Sequence, residues 1–291
     1  MRIETRRRLA QTRLLRPEAI AEAAAARTPA KSPLGEHGKA MIVAADHPAR
    51  GALRAGGRSS AMADRAEMLE RLCAALERPG VTGVLGSADV LEDLLLSGAL
   101  DGKTVFGSMN RGGLAGASFE VDDRFTGMDS AAISRMGFEG GKMLLRVDFD
   151  DDSTAAALES CARAVSALAE TGSVAMVEPF LSRRVDGRLV NDLSPDAVAT
   201  SIAVASGLGA TSAYTWLKVP VVDDFSRVVA ASTLPTLLLG GEVGADPDAQ
   251  RAGWADCLRE PNVYGLVVGR SLLYPSDDDV AAAVDAAVKL L

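Results

Sequence analysis

The sequence predicts an α/β protein whose main domain is a (β/α)8 barrel preceded by an N-terminal helical extension. From residue 40 onward, apolar runs of roughly four to eight residues alternate with Ala- and Leu-rich stretches, a rhythm typical of βα units and a parallel sheet. Eight such runs are present, and eight parallel strands with intervening helices close into a barrel. The runs lie at 41–46, 81–86, 103–109, 142–148, 174–180, 213–220, 236–242 and 264–270.

The length of the chain agrees with one barrel. It has 291 residues, and barrels of about 250 residues are routinely one domain. We therefore expect a helical extension over residues 1–39, acting as a lid or a packing element, and a catalytic barrel over residues 40–291. A doubly wound open sheet would also explain the alternation, but no GxGxxG follows the first strand, so the barrel is favoured.

The third connection between strands differs from the others. Most connections contain a plausible helix, whereas this one carries NRGGLAGASFEVDDRF before any helix can start. Long loops after barrel strands usually shape the catalytic mouth. We expect residues 110–125 to do so here.

Composition excludes several kinds of partner. A net charge of -8 and a pI near 5.0 disfavour binding to nucleic acid, which needs a cationic surface. The basic N-terminus has no apolar segment behind it and no stretch is long enough for a membrane span, so we expect a cytoplasmic protein without a membrane partner. Two histidines preclude a three-histidine zinc site, and no carboxylate cluster suggests magnesium. We expect neither a metal nor a cofactor.

Lys218 is the most informative residue. It interrupts the apolar run YTWLKVP, and period-2 alternation places Tyr214, Trp216 and Lys218 on one face of the strand. A lysine inside a barrel must be paired or have a lowered pKa, because burial disfavours its charged form. A neutral amine forms a Schiff base with a carbonyl substrate, and the imine then serves as an electron sink for carbon-carbon cleavage. The alternative is a structural ion pair with Glu178 or Asp148.

The fourth strand carries further charges. Lys142 and Arg146 lie on the same face as Asp148, so a second cation near Lys218 would lower the pKa of its amine further. Lys142 begins the predicted strand, however. An equally good interpretation is therefore that it lies at the bottom of the barrel and stabilises the fold.

Two carboxylates end other strands. Glu178, on the fifth strand, is suited to general acid-base work, or alternatively to a salt bridge with Arg146 or Arg183. Asp46 ends the first strand, where it would orient a substrate hydroxyl or a lysine, or cap the loop.

The last two strands end in glycines. Barrel phosphate sites are commonly built from the loops after strands seven and eight, where glycines let backbone N–H groups approach an oxyanion. Gly240 and Gly241 follow the seventh strand, and Gly269 precedes Arg270 at the end of the eighth. The guanidinium group of Arg270 would add charge-assisted hydrogen bonds to the phosphate oxygens, so we predict a phosphate site here.

Together these segments resemble the class I aldolases of the deoxyribose-phosphate and tagatose-bisphosphate aldolase superfamily, which use a lysine on the sixth strand. The likeness spans nearly the whole chain from residue 40. It rests on AADHPARG, KMLLRVD, VEPF, YTWLKVP and VVGRSLLYP.

The resemblance implies an aldehyde-lyase with assigned roles. Lys218 would be the Schiff base lysine, Glu178 and Lys142 would assist proton transfer, and Asp46 would bind the substrate. Arg270, Gly241 and Gly269 would hold phosphate, with Gly240, Asp148, Arg146 and Arg50 as further substrate contacts. Pro48-Ala49 separate His47 from Arg50, whereas the family places its arginine closer to the aspartate.

The likeness is greatest to the aldolases of inositol catabolism. Their expected substrate is 2-deoxy-5-keto-gluconate 6-phosphate, cleaved to dihydroxyacetone phosphate and malonate semialdehyde. The expected partner is thus a small sugar phosphate, and we expect a homo-oligomer. The alternatives are a deoxyribose-phosphate or tagatose-bisphosphate type aldolase, a non-covalent barrel epimerase or isomerase using Glu178 and Asp148, and a non-enzymatic barrel that binds sugar phosphates.

Overall fold

A computed structural model describes residues 2–110, 113–241 and 246–291. Residues 111–112 of the predicted long loop and residue 242 of the predicted seventh strand lie outside the described residues. The strands are β1 (Ala40–Ala44), β2 (Gly83–Gly86), β3 (Thr104–Ser108), β4 (Gly140–Val147), β5 (Val174–Val185), β6 (Arg188–Asn191), β7 (Thr215–Val219), β8 (Thr236–Leu239) and β9 (Val263–Val268).

Eight of these strands form a closed parallel barrel. Their order is β4-β3-β2-β1-β9-β8-β7-β5, and β4 pairs again with β5 to close the ring. The predicted (β/α)8 fold is therefore confirmed. The sixth barrel strand is β7, which carries Lys218 and pairs with β5 and β8.

The remaining strand, β6, was not predicted from the sequence. It pairs antiparallel with the end of β5. The turn between them contains Asp186 and Gly187, both with positive φ, as a two-residue hairpin turn requires. An Asp-Gly pair between extended residues is the sequence signal for such a hairpin. The result is an arm that extends β5 beyond the carboxyl end of the barrel.

Helices cover the outside of the barrel, and many begin at an identifiable cap. The side chains of Asp64, Ser194, Asp246 and Asp279 each accept a backbone N–H from the first turn of their helix. No helix within the described residues is long and apolar enough to cross a membrane. The helices are α1 (Arg2–Leu15), α2 (Ala19–Ala26), α3 (Arg65–Leu76), α4 (Ala88–Leu95), α5 (Ser130–Arg135), α6 (Ser153–Glu170), α7 (Pro195–Ser206), α8 (Phe225–Val229), α9 (Pro247–Cys257), α10 (Arg270–Leu273) and α11 (Val280–Val288).

The barrel interior is divided into an apolar part and a polar part. Side chains from alternate positions of the strands fill the apolar part, including Ile42, Phe106, Met176 and Leu237, with Trp216 packed against them. Trp216 and Lys218 are two residues apart and face the same interior, as the period-2 alternation predicts. Lys218 lies nearer than Trp216 to the carboxyl end of its strand, the end at which barrel enzymes place their sites.

The N-terminal extension packs on the outside and on the opposite end of the barrel. Arg13 on α1 forms an ion pair of 2.6 Å with the buried Asp93 on α4. Buried Arg27 donates to the carbonyl of Lys103, immediately before β3. Leu34 packs against the apolar interior beside Trp216. Of the two roles expected for residues 1–39, these contacts support packing and not a lid; the domain boundary itself stays a prediction.

Candidate active site

A cavity of about 490 Å³ opens at the carboxyl ends of the barrel strands. A larger groove of about 950 Å³ lies outside the barrel between α9 and α11. We take the barrel cavity as the site because it holds the lysine and carboxylate cluster. Among the predicted site residues, those that line it are Arg50, Arg146, Glu178, Lys218, Gly240, Gly241, Gly269 and Arg270.

Four buried charges form an alternating row beside this cavity. Lys218 Nζ lies 2.9 Å from Glu178 Oε1, and Glu178 Oε2 lies 2.7 Å from Lys142 Nζ. Lys142 Nζ lies 3.0 Å from Asp46 Oδ2. The four residues come from β7, β5, β4 and the end of β1, so the closed barrel is what brings them together. Alternation of sign offsets part of the desolvation cost of burying them.

These contacts distinguish between the alternative positions and partners that were predicted for Lys142, Glu178 and Asp46. Lys142 is not at the bottom of the barrel, because its amine reaches both Asp46 and Glu178. Glu178 pairs with the two lysines and not with Arg146 or Arg183. Asp46 makes no capping hydrogen bond to the following turn and bonds Lys142 instead.

The two lysines have opposite electrostatic environments. Burial disfavours the charge on Lys142, but Asp46 and Glu178 together outweigh that effect and raise its pKa. Burial also disfavours the charge on Lys218. Attraction to its ion-pair partner Glu178 opposes this effect, whereas repulsion by Lys142 adds to it, and the net result is a lowered pKa for Lys218. Lys218 is therefore the amine that gives up its proton more readily.

The carboxylates are strongly ionised. Burial opposes the charge of Glu178, yet attraction to Lys142 and Lys218 holds its pKa at about 2. The pKa of Asp46 is also well below its usual range, because attraction to Lys142 and Lys218 and the hydrogen bond from Lys142 exceed the cost of burial.

These lowered pKa values predict acid sensitivity. A carboxyl group whose pKa is lower in the folded state stabilises the fold above its unfolded pKa and loses that contribution as the pH falls through the folded pKa. We expect the free energy of unfolding to fall between about pH 4.5 and pH 2, with Glu178 contributing on the order of 3 kcal/mol. Urea unfolding at a series of pH values measures the slope. An equal slope in Glu178→Gln would contradict this assignment.

One side of the cavity mouth carries two arginines that share a carboxylate. Arg50 lies 3.5 Å and Arg146 3.4 Å from Glu120 Oε1. Arg146 Nε also donates to Asn191 Oδ1 at 3.3 Å. Sequence reasoning missed Glu120 and Asn191. Glu120 lies in the long loop that was expected at the mouth, and Asn191 ends the hairpin strand β6.

The opposite side of the mouth is rich in glycine. Arg270, the first residue of α10, donates to the carbonyl of Gly241 at 3.3 Å. Gly241 has a positive φ of 65°, and the carbonyl of Gly240 accepts from Gln250 at 2.7 Å. The strands β4 and β9 lie opposite each other in the barrel, because β3, β2 and β1 separate them on one side and β8, β7 and β5 on the other. The strand β7 is the middle one of the second group. Arg146 and Arg270 thus arise from opposite walls, with Lys218 halfway between.

The structure does not bring Asp148 to the described lining of the cavity. Its side chain accepts from the backbone N–H of Asp150, and its own N–H donates to Thr154 Oγ1. Asp148 therefore shapes the loop between β4 and α6. By contrast His47, to which the sequence assigned no role, lines the cavity.

Comparison with known proteins identifies the family. The model of the Cgl0159-like family matches residues 38–288. The chain belongs to the Cgl0159-like family. The crystal structure of Cgl0159 from Corynebacterium glutamicum is 52% identical, with a TM-score of 0.95 over 99% of this chain and 96% of that one. No curated protein matches significantly.

More distant structures share the fold of this Cgl0159-like chain. A Schiff base forming fructose-1,6-bisphosphate aldolase has a TM-score of 0.65 at 20% identity, over 93% of this chain and 99% of that one. An archaeal fructose-1,6-bisphosphate aldolase, with its catalytic lysine bound to the carbinolamine intermediate, has the same TM-score at 18% identity, over 93% and 98%. At these identities the likeness extends to the class I aldolase fold alone, and the comparisons contain no link to inositol catabolism.

Proposed function

We propose that this Cgl0159-like protein is a class I aldolase that cleaves a phosphorylated keto sugar or sugar acid through a Schiff base on Lys218. One observation carries the proposal. Lys218 is a buried amine with a lowered pKa, and it lines a cavity at the carboxyl end of a barrel. A merely structural ion pair would not require an adjoining cavity large enough for a substrate.

The contacts of Glu178 support a defined proton route. Lys218 transfers a proton to Glu178 across 2.9 Å, and the neutral amine attacks the substrate ketone. The carbinolamine then loses its hydroxyl as water, using the proton held by Glu178. The product is a protonated imine, and Glu178 is again a carboxylate. Lys142 keeps Glu178 ionised beforehand, and Asp46 holds Lys142 in place.

The two sides of the mouth support a substrate with an anionic group at each end. Arg270 and the neighbouring glycines suit a phosphate, and Arg50 with Arg146 suits a second phosphate or a carboxylate. Lys218 lies between them. 2-Deoxy-5-keto-gluconate 6-phosphate carries both groups, so we propose it as the first substrate to assay, with dihydroxyacetone phosphate and malonate semialdehyde as products. Tagatose 1,6-bisphosphate tests the alternative with two phosphates.

A non-covalent isomerase is the weaker candidate. It would rely on Glu178 and Asp148 as free acid-base groups. Asp148, one of the two groups that it would use, accepts a hydrogen bond from the backbone of its own loop and is not among the described residues that line the cavity.

Borohydride trapping tests the proposal. Incubation with borohydride and each keto sugar phosphate is expected to add the mass of the reduced substrate to the peptide containing Lys218. The peptide containing Lys142 serves as the internal control and is expected to stay unmodified, because the pKa of that amine is raised. Turnover with an unmodified Lys218 would overturn the covalent route. Ligand-dependent melting without turnover or trapping would favour a sugar-phosphate-binding barrel.

A further inference from the structure

His47 lies inside the cavity beside the lysine cluster. It follows Asp46 at the end of β1 and begins the short 3-10 turn His47–Arg50. Its ring lines the same cavity as Lys218 and Arg270. Gly269 makes room for it, since a Cβ at that position would lie 2.9 Å from His47 Cε1 and 2.3 Å from the carbonyl oxygen of Ala44.

The imidazole of His47 has no hydrogen-bond partner among the described residues. Within the described residues its side chain makes no hydrogen bond, and Nδ1 is buried without a partner. Asp46 Oδ1, at 3.9 Å from Nδ1, is beyond hydrogen-bond distance. A buried polar atom without a partner costs free energy, so such atoms are rare in folded proteins outside functional sites. Because His47 also lines the cavity, its ring can contact a ligand there.

The surroundings of His47 keep its ring neutral. Burial, together with the cations Arg270, Lys218 and Lys142, outweighs the attraction of Asp46 and lowers its pKa to about 3. A neutral imidazole has one nitrogen that accepts a proton. His47 therefore enters the reaction as a base.

Aldol cleavage requires such a base, beyond the proton route that forms the imine. A base must remove the proton of the hydroxyl group on the β carbon, and an acid must later protonate the α carbon. Both carboxylates of the row are already bonded to lysines. His47 is the acid-base side chain of the cavity lining that has no such bond within the described residues.

We infer that His47 is the catalytic residue that carries this proton in the proposed aldolase reaction. The hydroxyl proton of the imine moves to His47 and the bond between the α and β carbons breaks. The β carbon becomes the aldehyde carbonyl, and the electron pair of the broken bond forms the enamine on Lys218. His47 then returns the proton to the α carbon, and water releases the ketone. No oxidant or further reactant is needed.

The charges around His47 suit this cycle. A phosphate bound at Arg270 compensates one of the cations that lower the pKa of the ring. Bond cleavage converts the cationic imine into a neutral enamine at the moment when His47 becomes charged. Both changes raise the affinity of the imidazole for a proton, so substrate binding itself prepares the base.

The test compares the two histidines of the chain, His47 in the cavity and exposed His37. His47→Gln keeps a polar side chain but cannot carry the proton. With dihydroxyacetone phosphate in D2O, we expect the exchange of its α hydrogen and the aldolase turnover to fall by about 10²- to 10⁴-fold in His47→Gln. Borohydride trapping at Lys218 is expected to keep the natural yield. His37→Gln, the matched control, is expected to match the natural chain in all three assays.

The inference and the proposed function on which it rests fail in different ways. Exchange at the natural rate in His47→Gln, with trapping intact, would overturn the role of His47 and leave the Schiff base standing. Absence of trapping in the natural chain would overturn the Schiff base. A raised KM with normal exchange would make His47 a positioning residue and also overturn the inference. His47→Asn repeats the assays if the melting temperature of the Gln variant shows a folding defect.

Discussion

Replacement of Lys218 by methionine is expected to lower aldolase turnover by about 10⁴-fold or more, since loss of a covalent nucleophile removes the whole reaction route. The same change is expected to leave the free energy of unfolding within about 1 kcal/mol of the natural value or to raise it. Methionine has a similar length, and exchange of a buried charge for an apolar side chain is often neutral or stabilising. Glu178 keeps Lys142 as its partner at 2.7 Å. Kinetic assays and urea unfolding measure the two effects.

Lys218→Arg is the control that separates charge from amine chemistry. It retains a cation beside Glu178 but forms no imine, because a guanidinium stays protonated. We expect this variant to be as inactive as Lys218→Met and to show no borohydride adduct. A turnover above about one hundredth of the natural rate in either variant would be incompatible with Schiff base catalysis.

The position of Lys218 follows from the sequence, but that of Lys142 does not. Period-2 alternation alone places Lys218 beside Trp216 in the interior. For Lys142, the predicted strand began at residue 142 itself, whereas Gly140 and Gly141 also belong to β4. A Cβ at Gly140 would lie 2.4 Å from the carbonyl oxygen of Val174, so glycine here permits close approach of strands. Lys142 therefore lies two residues inside its strand.

The period-2 alternation of side chains no longer predicts the position of a residue that lies beyond the end of its strand. The sequence predicted Asp148 on the face of Lys142 and Arg146, but β4 ends at Val147 and Asp148 belongs to the following loop. Glu120 and Asn191 reach Arg146 from a loop and a hairpin, and no local periodicity encodes contacts between segments so far apart. The strand-borne part of the site was thus accessible from the sequence, and the loop-borne part required the fold.

Removal of Glu178 is expected to have the largest effect on stability. Glu178→Leu leaves Lys142 with Asp46 but deprives Lys218 of its ion-pair partner. Loss of one partner of a buried ion pair costs about 3–5 kcal/mol, because a buried charge is left uncompensated. Urea unfolding at pH 7 measures the loss. Glu159→Leu is the matched control, since Glu159 pairs with Arg163 on an exposed surface and its removal is expected to cost less than about 0.5 kcal/mol.

The pH dependence and the double variant show whether an uncompensated Lys218 is the cause. Without Glu178 the pKa of Lys218 falls further, so the unfolded chain binds more protons than the folded one above that pKa. The stability of Glu178→Leu should therefore rise with pH until the ordinary lysine pKa of 10.5 is reached. Adding Lys218→Met should restore most of the lost free energy even at pH 7. A double variant no more stable than Glu178→Leu would mean that the cost lies in packing around residue 178 and not in the charge of Lys218.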